Sequence, residues 1–227
     1  MDCAEALKQL EAFGSEQTRK TYRRHGALDP LFGVKYGDLY KMVRQIKSDH
    51  ALALELWETG NHDARLLATM VVDPEMMTMT GLAKWMKDVQ CHFLSSALSN
   101  VAQRSTMAKK LVTKWMKSRT ELVESTAWLM LAGISRESPK LFTRVEYKAF
   151  LKTIERDIHQ SKNRVKASMN AALIGIGSYI DEKTAVAVAE RVGKVEVDHG
   201  DTSCKTPLAV PYIQKAAAKY RDKLAKK

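Results

Sequence analysis

The sequence predicts an all-α protein, a stacked solenoid of antiparallel helix pairs. Amphipathic segments of helical length follow one another along the chain, joined by short turns that carry capping residues. No run alternates apolar and polar residues as a half-buried strand does, and the one extended-looking piece is Val195-Glu196-Val197. The tetrad Lys84-Trp85-Met86-Lys87 returns as Lys114-Trp115-Met116-Lys117, roughly 30 positions later, a spacing inside the period range of helical repeat proteins. Tyr147-Lys148-Ala149-Phe150-Leu151-Lys152 is a degraded third echo. The copies are expected on outer helices, and the segment between the first two is expected to line an inner face. Without a linker rich in Pro, Gly or Ser, residues 1–227 read as a single continuous domain with a basic C-terminal helix.

Each element follows from local signals. Ala4, Leu7, Leu10 and Phe13 have helical spacing; Gly14 ends that helix and Ser15 caps a basic one through Arg24. After a turn with Asp29-Pro30 and Gly33, helices are expected over Tyr36–Ile46 and Ala51–Trp57. Gly60-Asn61 breaks the second, and Asn61 caps a helix through Val72. Asp73-Pro74 pairs a cap with a first-turn proline and predicts the next start. Gln90–Ala102, Thr106–Met116 and Glu121–Leu131 continue the series, and Ser138-Pro139 restarts it into Val145–Ile158. Lys162–Tyr179 is small and apolar, with Gly175 and Gly177 near its end; Asp181 caps a helix through Val192, and the last begins around Leu208.

Composition narrows the function. With 45% hydrophobic and 28% charged residues the chain is of the ordinary globular type. Every apolar run is broken by Lys, Glu or Asp before the ~18 residues a membrane span needs. The acidic, amphipathic start carries no secretory signal, and Cys3, Cys91 and Cys204 are too scattered for a disulfide framework, so a cytoplasmic monomer is expected. A net charge of +11 with an isoelectric point near 9.5 attracts polyanions, nucleic acid first among them. Arg19, Lys20, Arg23 and Arg24 near the start, and Lys215, Lys219, Arg221, Lys223, Lys226 and Lys227 at the end, concentrate that charge.

Three predicted inner helices carry polar residues where an apolar face is expected. The first has Cys91, His92, Ser95, Ser96, Ser99 and Asn100; the second Glu124, Ser125 and Thr126; the third Arg164, Lys166, Ser168 and Asn170. Small hydroxyls and amides allow close approach and donate to phosphate oxygens, while the alternative use of such residues is tight helix packing. Cys91 and His92 are adjacent and point about 100° apart on a helix, so they do not form a nucleophile–base pair. Asp198, His199, Asp201 and Cys204 lie close together without a standard zinc spacing; a structured capping loop is the expectation there, with Ser203, Lys205 and Thr206 available to phosphate. Trp57, Trp85, Trp115 and Trp128 sit at apolar positions and predict core packing rather than base stacking.

Gly33-Val-Lys-Tyr-Gly-Asp-Leu39, Leu54-Glu-Leu-Trp57 and Asn61-His-Asp-Ala-Arg-Leu-Leu-Ala68 resemble the N-terminal part of the DNA alkylation repair family, the HEAT-like DNA glycosylases. The resemblance implies a right-handed α-solenoid of HEAT-like, armadillo-type repeats that holds duplex DNA in a concave basic cleft. It further implies excision of N3- and N7-alkylated purines, with an Asp and flanking aromatics stabilising a cationic glycosidic transition state. This sequence departs from that pattern. Cys91, His92, Ser95 and Ser96 stand where the catalytic Asp is expected, the cleft Arg is replaced near Ser125, and the later cleft Trp by Ala171 or a neighbour.

The first expectation is therefore a DNA-binding protein, without cofactor or metal, that contacts phosphate through His92, Ser95, Ser96, Asn100, Ser125, Arg164, Lys166 and Lys205. An active glycosylase using Glu124 or Asp198 as its anion is one alternative, because a cationic transition state needs a nearby anion. A scaffold whose groove takes a peptide or acidic partner is the other.

Overall fold

The computed structural model describes residues 1–225, so the basic Lys226 and Lys227 lie outside the described residues. Thirteen α-helices and one 3₁₀ turn, Ile158–Gln160, account for the regular structure among the described residues, and Val195-Glu196-Val197 is not a strand. No helix among them is long and apolar enough to cross a membrane. The helices fall into two compact units. One is Met1–Met107 with Gly200–Thr202; the other is Ala108–His199 with the segment from Ser203 on.

The first unit holds α1 (Cys3–Phe13), α2 (Glu16–Arg24), α3 (Tyr36–Ile46), α4 (His50–Glu58), α5 (His62–Val71), α6 (Met79–Asp88) and α7 (His92–Ala102). Capping side chains set most of the starts. Ser15 accepts from the Thr18 N–H at 3.3 Å, Asp49 from Leu52 at 3.0 Å, and Asn61 from Asp63 and Ala64 at 2.9 and 3.1 Å. Asp73-Pro74 does not start a helix as its residue types predict. The Asp73 carboxylate accepts from the Glu75 N–H and closes a turn, and Thr78 caps α6 by accepting from Gly81 at 3.0 Å.

In this unit α5 is central and packs against α1, α3, α4 and α7. The Asp63 side chain, on its first turn, is fully buried. Its carboxylate accepts three backbone N–H groups, from Phe32 (2.7 Å), Gly33 (3.0 Å) and Val34 (2.8 Å). The same loop is tied twice more: the Ser15 N–H donates to the Gly33 carbonyl at 3.0 Å, and the Tyr22 hydroxyl to the Val34 carbonyl at 2.6 Å. Gly33 has φ +78°, and a Cβ there would stand 2.6 Å from the Arg19 N and Ser15 O atoms, so only glycine fits. Two segments that carry the family resemblance, around Gly33 and around Asp63, are thus one hydrogen-bonded assembly.

The third, Leu54–Trp57, ends in the core. The Trp57 and Trp85 rings stack 4.1 Å apart and 2° from parallel. The Trp57 indole N–H donates to Asp88 Oδ2 at 2.8 Å, and the Arg65 guanidinium lies 5.3 Å from the Trp57 ring while donating to the Asp88 carbonyl.

The second unit holds α8 (Ala108–Trp115), α9 (Glu121–Glu137), α10 (Arg144–Asp157), α11 (Asn163–Tyr179), α12 (Glu182–Val192) and α13 (Ala209–Ala225). α9 runs past Leu131 to Glu137, because burial of Ile134 and Ser135 outweighs the low helix propensity of Gly133. Ser138-Pro139 is a turn, and Thr143 opens α10 in a capping box with Glu146. α9, α11 and α13 pack side by side as one layer, with α8, α10 and α12 against them as a second. A Cβ on Gly175 would lie 2.9 Å from the Ala132 carbonyl oxygen and one on Gly177 2.7 Å from Ile213, so these glycines let α11 approach both neighbours closely. The repeated tetrad marks a surface–core pattern: Lys84, Lys87, Lys114 and Lys117 are exposed, whereas all four tryptophans are buried.

Two predictions follow from the α5 assembly. Asp63→Asn removes the charge, leaves one oxygen for three donors and sets an NH₂ group against them. It should lower unfolding free energy by about 3 kcal/mol or more in urea titration. The His62 imidazole is 5% exposed, and its Nε2 has no hydrogen-bond partner among the described residues. Burial holds this group below the ordinary histidine value; Asp63 opposes that shift and Arg65 reinforces it. The unfolded chain therefore takes up this proton first, and stability falls as pH drops through the ordinary value of about 6.5. In His62→Phe, which keeps a ring beside Tyr22, the urea midpoint should lose less between about pH 7 and pH 5 than in the wild type.

Candidate nucleic-acid interface

α7 presents a polar stripe. Its cap residue, Cys91, has extended backbone, and His92, Ser96 and Asn100 follow at intervals of one helical turn. Ser96 and Asn100 are exposed and His92 is half-buried. Ser99 Oγ and Asn100 Nδ2 both donate to the Ser96 carbonyl, at 2.7 and 3.2 Å, and Arg104 Nε donates to the Asn100 carbonyl at 2.7 Å. Ser95 is not on the stripe: it is fully buried, out of reach of a phosphate, and belongs to the packing face of α7.

Aromatic rings gather at the start of this stripe. The His92 ring lies 5.4 Å from His25 and 4.7 Å from Phe93, and Phe93 lies 4.7 Å from His25 and 5.7 Å from Tyr22. His25, Phe93 and His92 are each half-exposed, which leaves π-faces at the protein surface beside the basic end of α2. There Lys20 and Arg24 are exposed, while Arg19 and Arg23 are engaged by Glu16 and Asp29. Burial raises the phenol pKa of Tyr22, which remains a neutral hydrogen-bonding group. His25 and Phe93 were not legible as site residues, since nothing near them in the chain marks the convergence of α2 with α7.

The second unit places the remaining candidates on α9, α11 and the loop before α13. Ser125 is buried and donates to the Arg164 carbonyl at 3.2 Å, while the Arg164 N–H donates to Glu121 Oε1 at 2.7 Å. The Glu121–Arg164 bond joins the first turns of two helices, and Ala132 lies as far beyond Glu121 as its neighbour Gly175 lies beyond Arg164, so α9 and α11 run parallel. Ser125 is thus a helix-to-helix contact and unavailable to phosphate, whereas Arg164 and Lys166 keep partly exposed side chains. Lys162 Nζ reaches the Arg119 carbonyl.

The loop from Asp198 to Pro207 is fastened to one side of α11. Asn163 donates to the Asp198 carbonyl and accepts from its N–H, at 2.7 and 2.8 Å, and Asn170, two turns on, donates to the Pro207 carbonyl at 2.9 Å. His199 Nε2 lies 3.0 Å from Thr206 Oγ1, and Lys205 is exposed on the loop. Among the described residues no three His, Cys, Asp or Glu side chains converge as metal ligands, here or elsewhere.

The two candidate anions differ in setting. Glu124 is half-buried at the wall of a cavity of about 360 Å³ with Met116, Trp128, Phe150 and Met169. Burial raises its carboxyl pKa more than the Trp128 indole and Lys162 lower it. Asp198 is exposed, and water screens its charge. On α7, the exposed stripe of His92, Ser96 and Asn100 contains no carboxylate.

Comparison with known proteins agrees with this architecture. A family model described as DNA alkylation repair enzyme matches residues 6–213. The uncharacterized protein Lin0241 of Listeria innocua is 33% identical over 216 residues, covering 92% of this chain and 94% of that protein. Lmo0209 of Listeria monocytogenes, also uncharacterized, is 30% identical over 217 residues with the same coverage. A solved structure, described as a new family of proteins related to the HEAT-like repeat DNA glycosylases with affinity for branched DNA structures, superposes with a TM-score of 0.87 at 30% identity. It covers 97% of this chain and 96% of its own. The helical layers seen here are accordingly of the HEAT-like type, and the chain belongs to the DNA alkylation repair enzyme family.

Proposed function

We propose that this chain binds DNA, with a preference for branched over linear duplex, and does not excise bases. The observation that carries the proposal is the likeness over nearly the whole chain to a HEAT-like structure described as having affinity for branched DNA. The charge of +11 supports it, since each Lys or Arg that neutralises a phosphate releases counterions. So does the chemistry of the exposed groups. His92, Ser96, Asn100, Arg164, Lys166 and Lys205, with Lys20 and Arg24, offer donors of the kind that hold a phosphate backbone without reading sequence. The half-exposed rings of His25, His92 and Phe93 offer a stacking surface to unpaired bases, which a branch point exposes and a continuous duplex hides.

Base excision through a cationic transition state requires a fixed anion or an activated water. The α7 stripe supplies no carboxylate, Glu124 lies on α9 and not on that stripe, and Asp198 is exposed to water. These three facts support binding without hydrolysis.

The test is single-turnover incubation with methylated duplex, scoring release of 7-methylguanine and 3-methyladenine. Binding to a four-way junction and to a linear duplex is measured alongside at two salt concentrations. No release is expected, with junction binding the tighter and both affinities falling steeply with salt. Release that disappears in Glu124→Gln would instead establish an active glycosylase, and absence of DNA binding would favour a protein-binding scaffold.

A further inference from the structure

The outer layer of the second unit carries a field of lysines that the contacts above do not use. From Ala108 to Arg119 the chain has Lys109, Lys110, Lys114, Lys117 and Arg119 and no carboxylate. Lys109 is engaged: it pairs with Glu146 of α10 at 2.8 Å and lies 5.0 Å from the Phe142 ring. That pair brings α8 beside α10, whose surface adds Lys148 and Lys152. The carboxylates of α10 are already committed, Glu146 to Lys109, Glu155 to Arg191 at 2.6 Å and Asp157 to Arg156 at 2.6 Å.

Lys110, Lys114, Lys117, Lys148 and Lys152 are thus left exposed, with no ion pair or hydrogen bond among the described residues. Lys110 and Lys114, and again Lys148 and Lys152, stand one helical turn apart, where like charges repel and work against the helix. An ordinary solvated helix face mixes the two signs, whereas α8 carries its lysines with no carboxylate. Lys110, Lys114 and Lys117 line one shallow open depression together with Lys109 and Thr113. The field lies on the α8–α10–α12 layer, whereas Arg164 and Lys166 belong to the α9–α11–α13 layer on the other side of this unit.

Resting on the DNA-binding proposal, we infer that this lysine field takes the phosphate backbone of a second duplex arm. One arm then meets Arg164 and Lys166 on the α9–α11–α13 layer of this unit while another lies along α8 and α10. Two cationic faces on opposite layers match a ligand whose arms diverge, and a single linear duplex has no use for the second. The field offers ammonium groups on an open surface, which contact phosphate oxygens without reading sequence.

The experiment uses the full chain with Lys110, Lys114, Lys117, Lys148 and Lys152 all changed to Gln, which relieves repulsion and leaves the core untouched. Binding to an immobile four-way junction and to a linear duplex of the same arm sequence is measured by fluorescence anisotropy at two salt concentrations. The expected result is a junction affinity lower by about tenfold or more and a shallower salt dependence, with duplex affinity held within about twofold. Equal losses on both DNAs, or no loss on the junction, would overturn the second-arm assignment while leaving DNA binding intact. A wild-type chain that binds neither DNA would overturn the DNA-binding proposal and this inference together.

Discussion

A buried carboxylate with three backbone donors organises the N-terminal unit. Asp63 has left water completely, and a charge there is tolerable only because the N–H groups of Phe32, Gly33 and Val34 converge on it and the positive end of α5 lies beneath it. Through those bonds α5 fixes a loop that also holds the start of α2 by Ser15 and its last turn by Tyr22. The position of α2 then decides where His25 meets His92 and Phe93, so the exposed ring cluster rests on a carboxylate that never reaches the surface.

Much of this fold was legible because helix signals are local. Asn61 and Asp181 cap where their types predict, and the four tryptophans are buried as their spacing predicts. What the chain hides is anything that depends on distant partners. Asp63 looks like an ordinary first-turn acid, and its three donors lie some thirty residues upstream. Asp73-Pro74 has the residue types of a helix start, yet Asp73 spends its carboxylate on a turn and the start passes to Thr78.

The polar residues of the predicted inner helices divide for the same reason. A helix has two sides, and the sequence shows which residues are polar without showing which side faces a neighbour. Ser95 and Ser125 proved to be packing groups, small enough to let helices approach and satisfied by burial-compatible contacts. His92, Ser96 and Asn100 remain outside. Of the α7 candidates, those left at the surface are the three spaced at whole helical turns.

The Asp198–Pro207 loop has a property that sets it apart from the basic groups around it. Two of its fasteners, to α11, are uncharged amides, Asn163 and Asn170, bonded to backbone atoms. Amides do not titrate, and a neutral hydrogen bond is indifferent to counterions, whereas every lysine contact to a phosphate weakens as salt rises. Lys205 is therefore carried on a loop whose amide fasteners do not loosen as salt rises, so that salt can weaken a contact made there without undoing them.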